Sequence, residues 1–296
     1  MNLEYLQAFY TTVKFNSISK AAKHLHVTQP GLSMQLRNLE KDLKVKLLTR
    51  SNKGVELTEE GSVVFDYAST MLSIQGNIQR DLKNLKDNSP KLIIGSCKSV
   101  GEYALPCSVY TFKKTYTELD IQLEVNNSSE IIKKLRDHTI NIGIIQYFDR
   151  LDDLELNTIV TDELVLVGNS KVLKNTITLD EFKKLPLILR EKNSGTRHLI
   201  EDFLKNKDLD INDLNIIYDL NSPQAIKSSI ISGKGYSLLP KLTIVQELKE
   251  KTLKTVSVEN FSTFFNYYIT YRKNYDLTEY EKMFIDFIIS SKRGFC

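Results

Sequence analysis

Cysteine is scarce in this 296-residue chain: Cys97, Cys107 and Cys296 are the only three. An odd number without CxxC spacing or Cys/His clustering argues against a disulfide framework and against a zinc site, so reduced structural thiols are expected. Histidine is almost as sparse. His24, His26, His138 and His198 lie in helical or turn contexts without nucleophile or metal spacing, and Cys97 with a distant histidine makes a weak pair. The reading is a protein that is not an enzyme and carries no metal or cofactor. The opening MNLEYLQAFYTTVKF lacks the basic start and unbroken apolar core of a signal peptide, and no later run approaches a membrane span. Cytoplasmic residence without a membrane partner is therefore expected.

What is present is ordinary globular material. Hydrophobic residues make up 41% and charged residues 26%, which favours neither disorder nor a membrane class. The length exceeds a comfortable single core, so two or three domains are expected. The net charge of +3 hides an asymmetry: up to Thr58 nine Lys or Arg face four Asp or Glu, a balance of +5, which leaves −2 for the remainder. Lys14, Lys20, Lys23, Arg37, Lys41, Lys44, Lys46, Arg50 and Lys53 supply the attraction to phosphates that DNA binding requires.

The basic end has helical periodicity. Leu3, Leu6, Phe9, Tyr10 and Val13 recur at three- and four-residue steps, marking an amphipathic supporting helix. Ser17 or Ser19 can cap a short second helix whose Ala21, Ala22 and Leu25 face inward, the alanines permitting close crossing. Thr28 is the expected N-cap of a third helix, with Pro30 just inside its start, where a missing N–H costs little. Leu32, Leu36, Leu39 and Leu43 form its apolar stripe, leaving Gln29, Pro30, Ser33, Met34 and Arg37 outward, a face able to enter a major groove. Gln pairs bidentately with adenine, Arg with guanine, and Pro or Met touches a thymine methyl. Any three short amphipathic helices share this periodicity; the basic enrichment and the segment that follows separate this one.

That segment, LLTRSNKGVELTEEG, reads as a strand, a turn at Asn52 to Gly54 and a second strand: a wing presenting Arg50 and Lys53 to phosphate or the minor groove. Thr58 then caps a long helix to about Asp87, with Glu59 and Glu60 in its first turn, where carboxylates suit the dipole. Val64, Tyr67, Ala68, Met71, Leu72, Ile74, Ile78, Leu82 and Leu85 give it an apolar seam. A helix of roughly 45 Å is too long for a small domain to cover on both sides. A second copy, giving a two-fold dimer with two reading heads, is the simplest partner; packing on the chain's own C-terminal domain is the alternative.

The stretch AFYTTVKFNSISKAAKHLHVTQPGLSMQLRNLEKDLKVKLLTRSNKGVELTEEG resembles the winged helix-turn-helix of LysR-type transcriptional regulators. The Ala21-Ala22 pair, the Thr28-Gln29-Pro30 turn, the Leu39-Glu40 pair and the Leu57-Thr58-x-x-Gly61 end carry the likeness over about sixty residues. The resemblance implies DNA contacts at Gln29, Pro30, Ser33 and Gln35, with Arg37, Arg50 and Lys53 as further contacts and Met34 on the same face. Met34 stands where such proteins often carry Arg, Lys44 where the third helix commonly ends in Gly, and Leu48 where Phe usually precedes the wing.

After Asn88, Ser89 and Pro90 break the long helix, the pattern changes. KLIIGSCKSVGEYALPCSVYTFKKTY reads as a strand, a Ser/Gly loop and a helix. IQLEVNNSSEIIKKLRDHTINIGIIQ repeats the plan, with strands Ile121 to Val125 and Ile142 to Gln146. A second set runs from LVLVGN near Asp162 through TLDEFKKL, LILRE and a helix introduced by Asn193 to Thr196. IIYDLNSPQAIKSSIISGKGYSLLP, a strand from Asn266 and the helix Thr278 to Ile289 complete it. Alternating strands and helices imply a mainly parallel α/β sheet in two lobes joined by crossover strands. This half is similar to the effector domain of LysR-type regulators, itself like periplasmic binding proteins, most clearly in AIKSSIISGKGYSLLP and NSGTR.

The expected organisation is a reading head over 1–58, a linker and dimerisation helix over 59–88, lobe I over 89–161 with 266–296, and lobe II over 162–265. Ligands of open α/β sheets settle at the C-terminal ends of strands, so the effector is expected between the lobes. Ser96, Ser99, Val100 and Gly101 in the first lobe and Ser194, Gly195 and Thr196 in the second would aim helix N-termini there, with Asn126, Ser128 and Gln146 as neutral contacts. Any of these Ser and Thr residues could equally cap its helix. The chemistry favours a small anionic effector, a carboxylate or an inorganic oxyanion. The partners implied are double-stranded DNA, a homodimer or homotetramer, and RNA polymerase for an activator. The alternatives are an effector-independent regulator and a transport-type small-molecule binding protein.

Overall fold

In the computed structural model, residues 2–51, 54–87, 90–146, 151–171, 174–259 and 263–296 are described, less the side chains of 50, 51, 80, 81 and 83–87. The chain divides into two compact units, Met1–Asp87 with Arg136–Thr139, and Asn88–Leu135 with Ile140–Cys296.

The first unit is built by its caps. Asn2, Ser17 and Thr28 accept backbone N–H groups of Glu4, Lys20 and Gly31 and so start α1 (Leu3–Phe15), α2 (Ile18–His24) and α3 (Gln29–Leu43). Of the two candidate serines Ser17 is the cap, while Ser19 Oγ donates to Gln29 Oε1 at 3.1 Å. Ala21 and Ala22 are buried among Leu6, Phe9, Leu32, Leu36 and Leu39, so small side chains let the three helices cross closely. Asn16 and Lys44 end α1 and α3 in left-handed conformations, φ 46° and 57°. Lys44 thus occupies a position that favours glycine for a backbone reason.

The wing is β1 (Leu48–Ser51) paired antiparallel with β2 (Gly54–Leu57), Arg50 opposite Val55. Asn52 and Lys53 lie outside the described residues. Glu40 fastens α3 to the wing: its Oε1 accepts from the N–H of Leu47 at 3.0 Å and Leu48 at 3.4 Å, and its Oε2 from Lys46 Nζ at 2.7 Å. Thr58 Oγ1 accepts from Gly61 N and donates to Lys46 O, opening the 29-residue α4 (Glu59–Asp87).

The apolar residues of α4 divide between two faces. Ala68 is buried and Val64 and Phe65 pack on the core of the head, while Leu72 lines a small cavity with Gln7, Tyr10 and Thr11 of α1. Tyr67, Met71, Ile74, Ile78 and Leu82 are exposed in steps of three and four, Tyr67 at 66%. The expected single seam is therefore two stripes, and Leu72 belongs to the intramolecular one.

The second unit begins with β3 (Lys91–Cys97), α5 (Lys98–Tyr103), α6 (Leu105–Thr115), β4 (Asp120–Asn126), α7 (Ser128–Arg136) and β5 (Ile142–Ile145). Next come β6 (Leu154–Asn169), β7 (Thr176–Ile177), α8 (Leu179–Lys184), β8 (Leu187–Arg190), α9 (Gly195–Lys205), β9 (Ile216–Leu220) and α10 (Pro223–Ile231). The unit closes with β10 (Ser237–Pro240), α11 (Val245–Lys249), β11 (Leu253–Val258), β12 (Thr263–Arg272) and α12 (Glu279–Ile289). The main sheet runs β4-β3-β5-β12-β6-β11-β7, with β10 also on β6, and β8-β9 form a separate parallel pair.

This sheet is mixed, where a mainly parallel one was expected. β3 pairs in parallel with β4 and β5, and β11 with β7, but β12 is antiparallel to β5 and β6, and β6 is antiparallel to β10 and β11. The reason is the 16-residue β6: LVLVGN is its second half rather than a new strand, and it returns against β12 from Leu154 to Leu164. Asp162 and Asn266, where the lobes were expected to change over, both lie inside these crossing strands. The thiol reading is also corrected. Cys107 of α6 is bonded to Cys296, 189 residues on, and only Cys97 is free and buried. α12 brings the end of the chain back to α6, through Phe284 and Phe287 against Phe112, a proximity that spacing does not reveal.

Candidate DNA-reading face and candidate effector site

Leu32, Leu36 and Leu39 turn inward from α3, which leaves Gln29, Pro30, Met34 and Arg37 exposed and Ser33 and Gln35 half-buried. Met34 is 59% exposed, so an apolar tip stands in the middle of a polar face. Arg37 Nε donates to the Ser33 carbonyl at 3.4 Å, which holds its stem along the helix. The side chain of Arg50 and the whole of Lys53 fall outside the described residues. An exposed helix face of this chemistry beside a two-stranded wing has the shape and the donor set that a major groove admits.

In the second unit, one glutamine gathers several of the expected effector residues. Gln146 follows β5, and its Oε1 accepts from Ser99 Oγ of α5 at 3.4 Å and from Thr196 Oγ1 of α9 at 3.1 Å. Its backbone N–H donates to Ser128 Oγ at 3.3 Å. Gln146 Nε2 is buried without a partner, a donor left unsatisfied in a closed site. The other expected residues are engaged locally. Ser194 caps α9 by accepting from Arg197 N, Ser96 Oγ donates to the Cys97 carbonyl, and Asn126 is half-exposed at the end of β4. Val100 belongs to the apolar core; a Cβ on Gly101 would stand 2.9 Å from Val125 Cγ2; Gly195 is buried in the first turn of α9.

Two groups here escaped sequence reasoning. Arg190, 3% exposed, ends β8 and forms a two-pronged pair with Glu191, Nε to Oε2 at 2.8 Å and Nη2 to Oε1 at 3.0 Å. Its position at a strand's C-terminal end was the available signal. Tyr267 of β12 is wholly buried; burial first, then the nearby Asp162 and Cys97, push its phenol well above the ordinary value, so it stays a neutral donor. Burial likewise pushes the Cys97 thiol up to about 12 despite opposing N–H groups and Arg190. A thiol held protonated is a poor nucleophile. The described residues contain no cluster of three metal-ligating side chains and no helix long and apolar enough to cross a membrane.

A helix-turn-helix head joined by a long helix to a two-lobed α/β unit defines a DNA-binding regulator with an effector-binding domain. Residues 3–62 match the family of bacterial regulatory helix-turn-helix proteins of the lysR type, and residues 86–293 match the LysR substrate binding domain. The chain belongs to the LysR family of transcriptional regulators. It is 28% identical over 265 residues to a probable RuBisCO transcriptional regulator of Phaeodactylum tricornutum, covering 87% of this chain and 86% of the relative. The full-length LysR-family regulator CbnR in complex with its target DNA superposes with a TM-score of 0.70 at 21% identity, over 97% of this chain and 99% of that one. The regulatory domain of CcmR from Synechocystis PCC6803 in complex with 2-PG superposes with a TM-score of 0.62 at 21% identity, over 68% of this chain and 96% of that one. At these identities the two structures establish the fold.

Proposed function

We propose that this regulator reads DNA through Gln29, Pro30, Ser33, Met34, Gln35 and Arg37, with Arg50 and Lys53 on phosphate, and that a small anion between lobe I (89–161, 266–296) and lobe II (162–265) modulates that reading. The carrying observation is Gln146, which links Ser99 of one lobe to Thr196 of the other while its buried amide N–H group lacks an acceptor. An oxyanion supplies that acceptor, and the neutral Tyr267 phenol lies near Ser99 and Cys97, with Arg190 near Cys97. The relative that holds 2-PG and the one that holds target DNA support both halves of the reading. Effector binding shifts DNA binding only through unequal affinity for two arrangements, so the anion must favour one. The protein acts in the cytoplasm, as a homodimer or a pair of dimers, without catalysis; as an activator it would meet RNA polymerase.

The test is an operator titration with and without small carboxylates and sulfate-like anions. Gln29→Ala should weaken specific binding by about 1 to 3 kcal/mol while sparing nonspecific binding, and Lys53→Ala should weaken all sequences alike. Thr196→Val and Ser99→Ala should remove the anion's thermal stabilisation. Equal stabilisation of parent and variants places the ligand elsewhere, and no stabilising anion favours an effector-independent regulator.

A further inference from the structure

Lobe II contains a cavity of about 870 Å³, lined by none of the residues around Gln146. It opens where the main sheet ends at β7 and the β8-β9 pair begins, the two being joined by a single bridge between Leu187 and Tyr236. Ile177 of β7, Val256 of β11, Leu185, Pro186 and Tyr236 give it an apolar wall. One side is rigid for a backbone reason: Gly235 has φ 154°, and a Cβ there would stand 2.6 Å from the Pro186 carbonyl oxygen. The neighbouring Gly233 faces open space.

Four lysines surround this wall. Lys174 is paired with Glu181, which also caps α8. Lys171, Lys184 and Lys234 are exposed and make no ion pair among the described residues. Three uncompensated cations around one cavity stand out in a part of the chain whose overall balance is −2. Lysine ammonium groups on flexible stems act as movable point charges, suited to an anionic headgroup at a mouth rather than to a planar, two-pronged grip. The volume matches small-ligand pockets of roughly 300–1,000 Å³, which are mostly apolar with a few polar anchors.

We propose that this cavity binds an amphiphilic carboxylate, a medium-chain or aryl acid, with its apolar body on Ile177, Val256 and Tyr236 and its headgroup among Lys171, Lys184 and Lys234. The site is separate from the inter-lobe one, and the proposal stands whether or not an effector binds there.

Octanoate and octanol are the probes, titrated into the full-length protein by calorimetry and followed through isoleucine methyl resonances. Octanoate should bind and shift Ile177 and Ile231, and octanol should bind about tenfold more weakly for want of the charge. Lys184→Glu with Lys234→Glu should weaken octanoate about tenfold and leave octanol unchanged. Both positions are exposed, so melting temperature should stay near that of the parent. Absence of octanoate binding at millimolar concentration overturns the proposal. So does equal affinity for acid and alcohol, insensitivity to the double charge reversal in a folded variant, or shifts confined to Ile144 beside Gln146.

Discussion

Gly61 sits so close to Leu47 that a Cβ on Gly61 would stand 2.0 Å from the Leu47 carbonyl oxygen. The first turn of α4 therefore packs on the backbone entering the wing, and only glycine fits. Gly61→Ala should destabilise the head by roughly 1 to 3 kcal/mol or more, because the obstruction is backbone and cannot rotate away. Gly76, in the same helix, has open space where a methyl group would stand, with nothing within 4 Å, and Gly76→Ala should instead stabilise by about 0.5 to 1 kcal/mol. Denaturant titration of the two variants should move the midpoint in opposite directions.

Lys44 ends α3 at φ 57°. A side chain is strained there, so Lys44→Gly should raise stability by roughly 0.5 to 1 kcal/mol, while losing one basic charge near the DNA face. A lowered midpoint in the same titration would count against this left-handed cap.

Glu40 makes the wing acid-sensitive. Burial raises its carboxyl, but the Lys46 ammonium and the N–H groups of Leu47 and Leu48 outweigh burial and hold it below 4.5. A depressed folded value means the stabilisation is complete above the unfolded value near 4.5 and is lost as pH falls through the folded one. Glu40→Gln should cost roughly 1 to 2 kcal/mol at pH 7 and flatten the acid limb of a melting-temperature profile. An unchanged profile would show that the carboxylate does not hold the wing.

The exposed stripe of α4 predicts self-association. Ile74→Lys with Ile78→Lys places charges on that stripe and should shift the sedimentation coefficient to that of the monomer, whereas Leu72→Lys, facing α1, should instead lower stability. If the paired variant sediments as the parent does, another surface joins the subunits.

The head was legible in the sequence nearly residue by residue, because its determinants are local: caps at Thr28 and Thr58, a cap at Ser17 or Ser19 that the structure gives to Ser17, a leucine stripe every three or four residues, and two small alanines at a crossing. The α/β pattern of the second half was legible too, yet its sheet was read as mainly parallel. Strand direction in the middle of that sheet depends on β6 running unbroken for 16 residues and on β12 returning beside it, and neither is encoded in local periodicity.

By itself, then, the sequence determined the helices of the reading head, their order, the outward set of Gln29, Pro30, Met34 and Arg37, though not the half-burial of Ser33 that was read with them, and the alternation of strands and helices beyond Pro90. Those follow from hydrogen bonds and burial within a few residues of chain. Only the tertiary structure decided that Gln146 would hold Ser99 and Thr196 at once, that Arg190 and Tyr267 would both come near Cys97, and that Cys107 would meet Cys296. It also left three lysines around a cavity at the joint of two sheets. These contacts join residues tens to nearly two hundred positions apart, and their proximity is set by how the sheet crosses between lobes rather than by anything periodic along the chain.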